Sequence, residues 1–446
     1  MNDIFRDAGI RKVKGVKMIT RKLDFLDETF YWGRSGKQAT IPVIHCVLNK
    51  PVDEDILRNA LANALRVHTN FRVRPFISEG RIQVQIDDVT DVPLYKTDGK
   101  PRHLGTDETL GYMLYVTYEG REITLHIFHG IADFRGTNAF LCTLLKFYFY
   151  ESGHTGIELP EYDSTDASPA YENILKAGAP GRPEGIYNPE EHEIFNLPEE
   201  TFSKETTKQR MFEIDIPLMP LLKIAKESES SVVPTMEAVI GNAIRKTYEA
   251  GEKEIAVYTP IDLREVFHVK TGGNAASSFS LSYPAELGGC GLKERAKYLR
   301  SVMNVQIRPE NLYAGVASLK SRMQKLFDMP YPIEAVSQRA VDGRRDKDRR
   351  FYTYGVSYAG KIIFGDEIDP YVETVTSSAA SYSYPLWILA CEHNGMIRMS
   401  FAQNFESDLL VRAVFREFAE LIPGTCFEDK DYYEFDEFHL KELPHR

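Results

Sequence analysis

The chain has 446 residues, of which 43% are hydrophobic and 27% are charged, and its formal net charge is −11. This length exceeds one ordinary hydrophobic core, so we expect two domains of about 200 residues each in a globular protein. The negative charge argues against a general binder of nucleic acid or of anionic membranes, and the sequence has no run of about 18 apolar residues that could span a membrane.

The cysteines are few and widely spaced. The sequence has five, with no CxxC pair, so it predicts neither a disulfide framework nor a zinc site: Cys46, Cys142, Cys290, Cys391 and Cys426. The N-terminal residues also lack the apolar core of a signal peptide. We therefore expect a reduced, cytoplasmic protein.

The first half of the chain alternates strand-like and helical segments after a basic lead-in over residues 1–20. Residues 41–48 form an apolar run of strand length, and residues 51–66 carry apolar side chains at helical spacing. Residues 71–77 and 81–86 alternate apolar and polar side chains, as strands do. These periods predict an α/β arrangement.

An apolar, β-prone run brings His129 to its end, and Asp133 follows four residues later, ahead of a helix-like stretch over 137–150. Histidine is the side chain whose ordinary pKa lies near neutrality, so it can take up and return a proton at cellular pH. This pattern is typical of a base that activates a hydroxyl, amine or thiol for attack on an acyl group. The alternative is a histidine that satisfies a strand end. His126 would point to the opposite face of the strand, so the two histidines predict no metal site.

The second half follows a segment over 151–208 that is rich in Pro, Gly, Glu and Asp and is typical of a long connection. In this half the sequence predicts strands over 210–216 and 254–264. It also predicts a helix that begins at Pro234 and further helices over 292–303 and 314–327.

The two halves end alike. Residues 122–128 lead through an acidic loop into the helix over 137–150, and residues 396–404 lead through another into a predicted helix over 409–421. This indicates a duplicated strand–loop–helix unit, with a site in the cleft between the halves. The alternative is that any two α/β halves share such features.

The segment from Phe128 to Phe134 resembles the His-His-x-x-x-Asp-Gly motif of the chloramphenicol acetyltransferase-like superfamily. That group includes alcohol acetyltransferases, plant acyl-CoA acyltransferases, polyketide-associated acyltransferases and the condensation domains of peptide synthetases. The second histidine and the aspartate are present, whereas Phe128 and Phe134 replace the first histidine and the glycine. Similar islands follow the family's order, from an early helix and Arg-x-Arg strand over 57–75, through Thr259–Arg264 and Gly273-Asn274, to Gly355–Gly360.

The resemblance implies a layered α/β fold with two subdomains, residues 1–190 carrying the HxxxD motif and residues 191–446. Each would be a mixed β-sheet flanked by helices, and a tunnel open at both ends would run between them. An acyl thioester would enter from one side and the acyl acceptor from the other.

The resemblance also implies direct acyl transfer with His129 Nε2 as general base. It points to Arg264 as the partner of Asp133, which would fix the loop and would not relay protons; the alternative for Asp133 is a simple helix-start residue. Ser357 is the candidate oxyanion donor, or else a hydroxyl paired within a sheet. Asn274 is expected to have a structural role, and the simplest such role is that of a turn residue.

Phe134, Tyr358 and Gly360 are candidate substrate-binding residues. Phe134 either narrows the tunnel or turns away from it. A basic cluster over 344–350 could receive coenzyme A phosphates or an acidic carrier protein, although a solvated, flexible loop is the simpler interpretation.

The leading functional hypothesis is an acyl-CoA-dependent O- or N-acyltransferase acting on a small-molecule alcohol or amine. It has no permanently bound cofactor and no metal, and acyl-CoA is its cosubstrate. One alternative is a stand-alone condensation enzyme that uses substrates bound to an acyl carrier protein. The other is a catalytically degenerate binding module, which Phe128 and Phe134 keep open.

Overall fold

The computed structural model describes residues 19–32, 41–89, 91–197, 208–381, 383–435 and 440–446. Its strands are β1 (Ile19–Lys22), β2 (Val43–Leu48), β3 (Val73–Ser78), β4 (Arg81–Ile86), β5 (Leu94–Lys96), β6 (Leu114–Glu119), β7 (Glu122–Ile127), β8 (Lys208–Pro217), β9 (Ile255–Asp262), β10 (Ala276–Tyr283), β11 (Tyr354–Lys361), β12 (Val372–Ser378), β13 (Leu386–His393), β14 (Met396–Gln403) and β15 (Cys426–Glu434).

The α-helices of the same residues are α1 (Phe25–Trp32), α2 (Glu54–Val67), α3 (Phe134–Glu151), α4 (Ala170–Ala177), α5 (Leu218–Glu227), α6 (Val232–Thr247), α7 (Arg264–Phe267), α8 (Leu292–Gln306), α9 (Pro309–Phe327), α10 (Ile333–Phe351) and α11 (Leu409–Leu421).

Two mixed sheets dominate the architecture. The first sheet has the order β12-β2-β7-β6-β5, with β5 parallel to β6 and the other neighbours antiparallel. The second sheet has the order β10-β9-β11-β13-β14-β8-β15, with β11 parallel to both β9 and β13. A small antiparallel sheet, β1-β4-β3, lies apart from them. The fold class is thus the mixed α/β class predicted from the sequence.

The second half of the chain contributes a strand to the first sheet. Near the end of β11 the strand register shifts at Gly360, whose φ of +77° is the left-handed conformation that glycine adopts without steric cost. Ile362 and Phe364 are then buried in the core around the first sheet, and β12 pairs with β2. The two halves are therefore interlocked through residues 361–378.

The second sheet opens between β9 and β11. These strands are paired through Val257 with Tyr354 and through Tyr258 with Gly355, and no further pairs join them in the described residues. Beyond this point β9 keeps β10 as its neighbour and β11 keeps β13. In α/β sheets, ligands bind in a crevice at the carboxyl ends of the strands, where neighbouring strands diverge.

The two largest cores are built on these sheets. Helix α2 begins at its N-cap Asp53, whose carboxylate accepts a hydrogen bond from Ile56 N at 3.1 Å, and it buries Leu57, Leu61 and Leu65 at helical spacing. Helices α2 and α3 pack together around the first sheet. Helices α6, α8 and α11 bury their apolar stripes against one face of the second sheet.

The structure confirms the helices predicted over 292–303, 314–327 and 409–421, which are α8, α9 and α11. The sequence patterns do not indicate α1, α4, α5 or α10. The division between residues 190 and 191 stays a prediction, and residues 1–18 of the basic lead-in lie outside the described residues, as do residues 198–207 of the long connection.

The basic cluster is a correction to the sequence analysis. Residues 344–350 form the last turns of α10 and are not the flexible loop that their charge suggests. The helix forms because Ile333, Val336 and Val341 are buried along one side of the preceding turns, and this anchors the charged residues that follow.

None of the helices in the described residues is long and apolar enough to cross a membrane.

A buried carboxyl group predicts how stability depends on pH. Glu237 on α6 is 1% exposed in the core of the second sheet, where Thr259 Oγ1 donates to its Oε1 at 3.2 Å and its Oε2 has no partner in the described residues. Burial raises the pKa of Glu237 from 4.5 to about 8. The folded state therefore retains a proton that the unfolded state releases.

We expect this group's contribution to stability to be fully present below pH 4.5 and to be lost as the pH rises to about 8. The loss is at most about 1.4 kcal/mol per pH unit within that window. Glu237→Gln, which stays neutral, should flatten the fall in the free energy of unfolding measured by urea titration between these pH values. An identical slope in the variant would contradict the assignment.

Candidate active site

The loop that carries His129 joins β7 to α3. Phe128 N donates at 2.9 Å to the carbonyl oxygen of Met113, the residue before β6, which continues the sheet pairing to the residue before His129. The Phe128 side chain is fully buried and packs edge-on against Tyr31, with ring centroids 4.7 Å apart. The position of the family's first histidine is therefore occupied here by a core residue. His129 itself is half-buried.

Two glycines let the surrounding backbone come close. A side chain on Gly130 would collide with the Phe128 ring, and one on Gly136 would collide with the carbonyl oxygen of Gly272. The first turn of α3 is therefore in direct contact with the loop over 271–275, which follows α7 in the second half of the sequence. This contact brings the two halves together beside His129.

Asn274 fixes the orientation of the His129 ring. Its Nδ2 donates to Asp27 Oδ1 at 2.9 Å and to the His129 carbonyl oxygen at 2.8 Å, so its Oδ1 faces His129 Nδ1 at 3.1 Å. An amide oxygen can only accept, so the hydrogen-bond network assigns the proton to Nδ1 and the lone pair of the neutral ring to Nε2. That tautomer is the one a base acting through Nε2 requires.

Helix α1 supports the ring from the other side. Phe30 stacks on His129 with ring centroids 4.2 Å apart and an interplanar angle of 14°. Asp27, on the same helix, is the carboxylate that holds Asn274. Neither residue is among those that the sequence analysis selects. The available signal is the aromatic run Phe25–Trp32, with Leu26 and Phe30 one helical turn apart.

Asp133 and Arg264 form the ion pair that the resemblance implies. Arg264 Nη1 donates to Asp133 Oδ2 at 2.8 Å and Nη2 donates to Oδ1 at 3.0 Å, and both side chains are largely buried. Asp133 also caps α3 by accepting from Gly136 N at 3.1 Å, and it accepts from Ala275 N at 2.8 Å. The two alternatives for Asp133, arginine partner and helix-start residue, thus both hold.

All five N–H groups of Arg264 are used. Besides Asp133, the guanidinium donates from Nη1 to Asp262 Oδ1 at 2.9 Å, from Nε to Thr271 O at 3.0 Å and from Nη2 to Gly273 O at 2.7 Å. Burial acts to lower the pKa of Arg264, but the neighbouring carboxylates of Asp133 and Asp262 outweigh it, and the pKa is raised. The guanidinium is therefore a permanently charged structural centre.

The remaining predicted residues lie on and beside β11. Ser357 is half-buried, and its hydroxyl has no hydrogen bond to the described residues. Tyr358, its neighbour, points to the opposite face of the sheet, packs against the second core and donates its hydroxyl to Glu392. Gly360 lies at the irregularity near the end of β11, and a side chain added there would meet open space. The strand thus presents Ser357 and Tyr358 on different sides.

Phe134 is the first residue of α3 and is half-buried against the core of the first sheet. Because the backbone there is helical, the position does not require the conformational freedom of the glycine that the family has. The ring packs against that core, and whether it narrows a tunnel stays a prediction.

The second half has no counterpart of His129. At the end of β14, Gln403 donates to Phe405 O and Ser407 O at 2.7 Å each. Asn404 is 3% exposed and donates to Ser381 O and Tyr384 O. These side chains hold loops, so the strand of the second half ends in structural amides where the strand of the first half ends in His129. No cluster of His, Cys, Asp or Glu in the described residues could hold a metal ion.

No family model matches the sequence, and no curated protein matches it. The structure is similar to polyketide synthase associated protein 5 from Mycobacterium tuberculosis, at 15% identity over 89% of this chain and 97% of that chain, with a TM-score of 0.62. It is similar to the condensation domain of the Monacolin K polyketide synthase MokA, at 11% identity over 90% of this chain and 96% of that chain, with a TM-score of 0.61.

It is also similar to F. sporotrichioides TRI101 complexed with coenzyme A and T-2, at 12% identity over 91% of this chain and 99% of that chain, with a TM-score of 0.57. At these identities the similarity shows the fold. The chain shares its mixed α/β fold with these three structures, and this confirms the fold class that the sequence predicts.

We expect Asn274→Ala to release the His129 ring. The Nε2–H tautomer should then become populated, which ¹⁵N NMR of histidine-labelled protein detects directly, with His129→Ala identifying the resonance. If His129 is a base, kcat should fall by about 10-fold or more, because base action contributes about 10² to 10⁴ in rate. A tautomer unchanged in Asn274→Ala would show that the amide does not orient the ring.

We expect Asp133→Asn to lower the free energy of unfolding by about 2–4 kcal/mol, because it removes the more deeply buried of the two carboxylates that pair with the Arg264 guanidinium. The matched control is Glu373→Gln, which removes the exposed pair with Arg121 and should cost under about 1 kcal/mol. Urea unfolding measures both. An Asp133→Asn protein that is as stable as the wild type yet inactive with an altered pH profile would refute the structural role.

Proposed function

We propose that the protein is an acyltransferase that moves an acyl group from coenzyme A, or from a carrier thioester, to an alcohol or amine. The observation that carries the proposal is the His129–Asn274 hydrogen bond, which leaves the lone pair of a half-buried imidazole on Nε2 at the junction of the two halves. A histidine that only satisfied a strand end would not need a partner that selects its tautomer.

The reaction follows from that lone pair. His129 Nε2 removes the proton from the acceptor hydroxyl or amine as its oxygen or nitrogen forms a bond to the thioester carbonyl carbon. The carbon–sulfur bond of the tetrahedral intermediate then breaks, and the imidazolium returns the proton to the leaving thiolate. The products are an ester or amide and a free thiol, and no covalent enzyme intermediate forms.

Ser357 is the residue we assign to the oxyanion. Its half-buried hydroxyl has no hydrogen bond within the described residues, so it is available to a ligand. It lies on β11 just beyond the point where β9 and β11 separate, at the opening of the second sheet. A preorganised donor of this kind contributes about 3–4 kcal/mol to lowering a barrier of this type.

The donor and its path are part of the same proposal. TRI101, which shares the fold, is complexed with coenzyme A and a small molecule, T-2, and this supports acyl-CoA and a small acceptor as the two substrates. We further propose that they enter from opposite ends of a tunnel between the halves, as the resemblance implies. Condensation domains with the same fold support a second donor, an acyl group on a carrier protein.

A thiol-release assay across acyl-CoA chain lengths and acceptor classes tests the proposal. His129→Ala should lose about 10² to 10⁴ in kcat/KM with unchanged melting temperature. The matched control is His445→Ala, whose side chain is 62% exposed and which should retain wild-type turnover. Turnover only with acyl groups on a carrier protein would favour the condensation enzyme.

Absence of turnover with every acyl-CoA and every acyl carrier protein would favour the degenerate binding module, and full activity in His129→Ala would exclude the base assignment.

A further inference from the structure

Four aromatic side chains lie together on one face of the second sheet. We call them the aromatic floor: Tyr258, Tyr352, Tyr384 and Trp387. Their ring centroids are 5.2 Å apart for Tyr258 and Tyr384, 5.3 Å for Tyr384 and Trp387, and 5.5 Å for Tyr258 and Tyr352. The rings thus form one continuous aromatic surface across β9, β11 and β13.

The floor faces the cleft between the halves. Val257, Val356 and Ile388 point into the second core beneath helices α6, α8 and α11, so Tyr258 and Trp387, which alternate with such residues, point the other way. Four residues beyond Tyr258, on the same face of β9, Asp262 binds Arg135 of α3 with Nη1 and Oδ2 2.7 Å apart. The floor is therefore about 13 Å along the strand from the Asp133 junction.

The floor has hydrogen-bonding capacity that the protein does not use. Tyr258, Tyr352 and Trp387 are half-buried. Within the described residues neither the Tyr258 hydroxyl nor the Trp387 indole N–H has a hydrogen-bond partner. Tyr352, by contrast, shares a hydrogen bond of 2.9 Å with Ser280 Oγ. A ring that also carries an oxygen could stack on this surface and accept from both unused donors.

Gly355 sets the position of the Trp387 ring. It is the residue of β11 opposite Trp387 in the register, and a side chain there would collide with the indole. The indole therefore lies across β11 and extends the aromatic surface toward Tyr258, with ring centroids 6.2 Å apart.

We propose that the aromatic floor binds a planar aromatic ring, bearing a hydrogen-bond-accepting oxygen, that belongs to one of the two substrates. The proposal rests on the proposed function, because the substrate would need a linker of about 10 Å or more between this ring and its reacting group. The ring is either part of the acceptor or the far end of the acyl chain. Either source gives the enzyme a preference for aromatic over saturated substrates of equal size.

Two matched pairs of compounds distinguish the sources. Phenoxyhexanol and cyclohexyloxyhexanol are compared as acceptors with acetyl-CoA, and phenoxyhexanoyl-CoA and cyclohexyloxyhexanoyl-CoA as donors with one fixed acceptor. We expect the aromatic member to be preferred in one pair by about 3- to 10-fold in kcat/KM, the size of an aromatic stacking contribution. Equilibrium dialysis of the two alcohols measures the same preference without turnover.

The variants are Trp387→Leu, which removes the indole, and Gly355→Ala, which displaces it while keeping it in the sequence. Both should abolish the aromatic preference, and Tyr258→Phe should lower kcat/KM for both members of the pair, because both carry the ether oxygen that the hydroxyl would bind. The control is Tyr150→Leu, at a position 53% exposed near the end of α3, which should keep the preference. Melting temperatures identify any variant that fails to fold, and Tyr258→Phe is the smallest change.

The two proposals fail in different ways. Thiol release without any aromatic preference in either pair, or with a preference that survives in Trp387→Leu and Gly355→Ala, overturns the aromatic floor and leaves the acyltransferase intact. Selective dialysis binding of phenoxyhexanol that Trp387→Leu abolishes, with no thiol release from any acyl-CoA, supports the floor and counts against the acyl-CoA reaction.

Discussion

The pairing of Arg264 with Asp133 is the interaction on which the rest of the site depends. Arg264 lies two residues after the end of β9, and Asp133, four residues after His129, is the N-cap of α3, so the pair joins the second sheet to the histidine loop. The guanidinium stays protonated at ordinary pH, so the ion pair does not depend on the proton transfers that we propose. A buried charge pair of this kind is valuable less for net stability than for fixing one geometry.

The same pair indirectly sets the tautomer of His129. Arg264 binds the carbonyl oxygens of Thr271 and Gly273, and Asp133 accepts from Ala275 N. Asn274 lies between these anchored residues, so its amide is held against the imidazole from both sides of the chain. Asp133, four residues after His129, therefore acts on the histidine through the loop over 271–275. The carboxylate holds the segment that supplies the orienting amide, and Asp27 of α1 completes it.

The sequence predicts those parts of the molecule in which local pattern and final structure agree. Helix α11 has the predicted ends because Leu410, Val411 and Val414 repeat at helical spacing and no tertiary contact overrides them. The resemblance predicts the Asp133–Arg264 pair because both residues belong to motifs that the family shares. By contrast, Asn274 follows two glycines, and the local pattern there predicts only a turn.

Long-range contacts explain what the sequence does not predict. The roles of Phe30 and Asn274 arise from contacts across about 100 and 145 positions of sequence, between elements whose approach is set by glycines at the interface. The charged end of α10 shows the same principle, since its helical state follows from apolar residues buried two turns earlier. The alternation of Ser357 and Tyr358 is local, yet which face is the cleft depends on how the halves pack.

The two halves use one supersecondary unit for different purposes. In the first copy the strand ends in His129, a residue able to exchange protons. In the second copy it ends in Gln403 and Asn404, whose amides hold the loop containing Ser381 and Tyr384. That loop places Tyr384 within the aromatic surface of the second sheet. A polar pair that cannot titrate thus holds a loop of the second half, while the corresponding strand of the first half ends in the histidine that we propose as the base. Reaction at one end and recognition at the other is the arrangement that such a division favours, because remote binding energy can then be used to position the reacting groups.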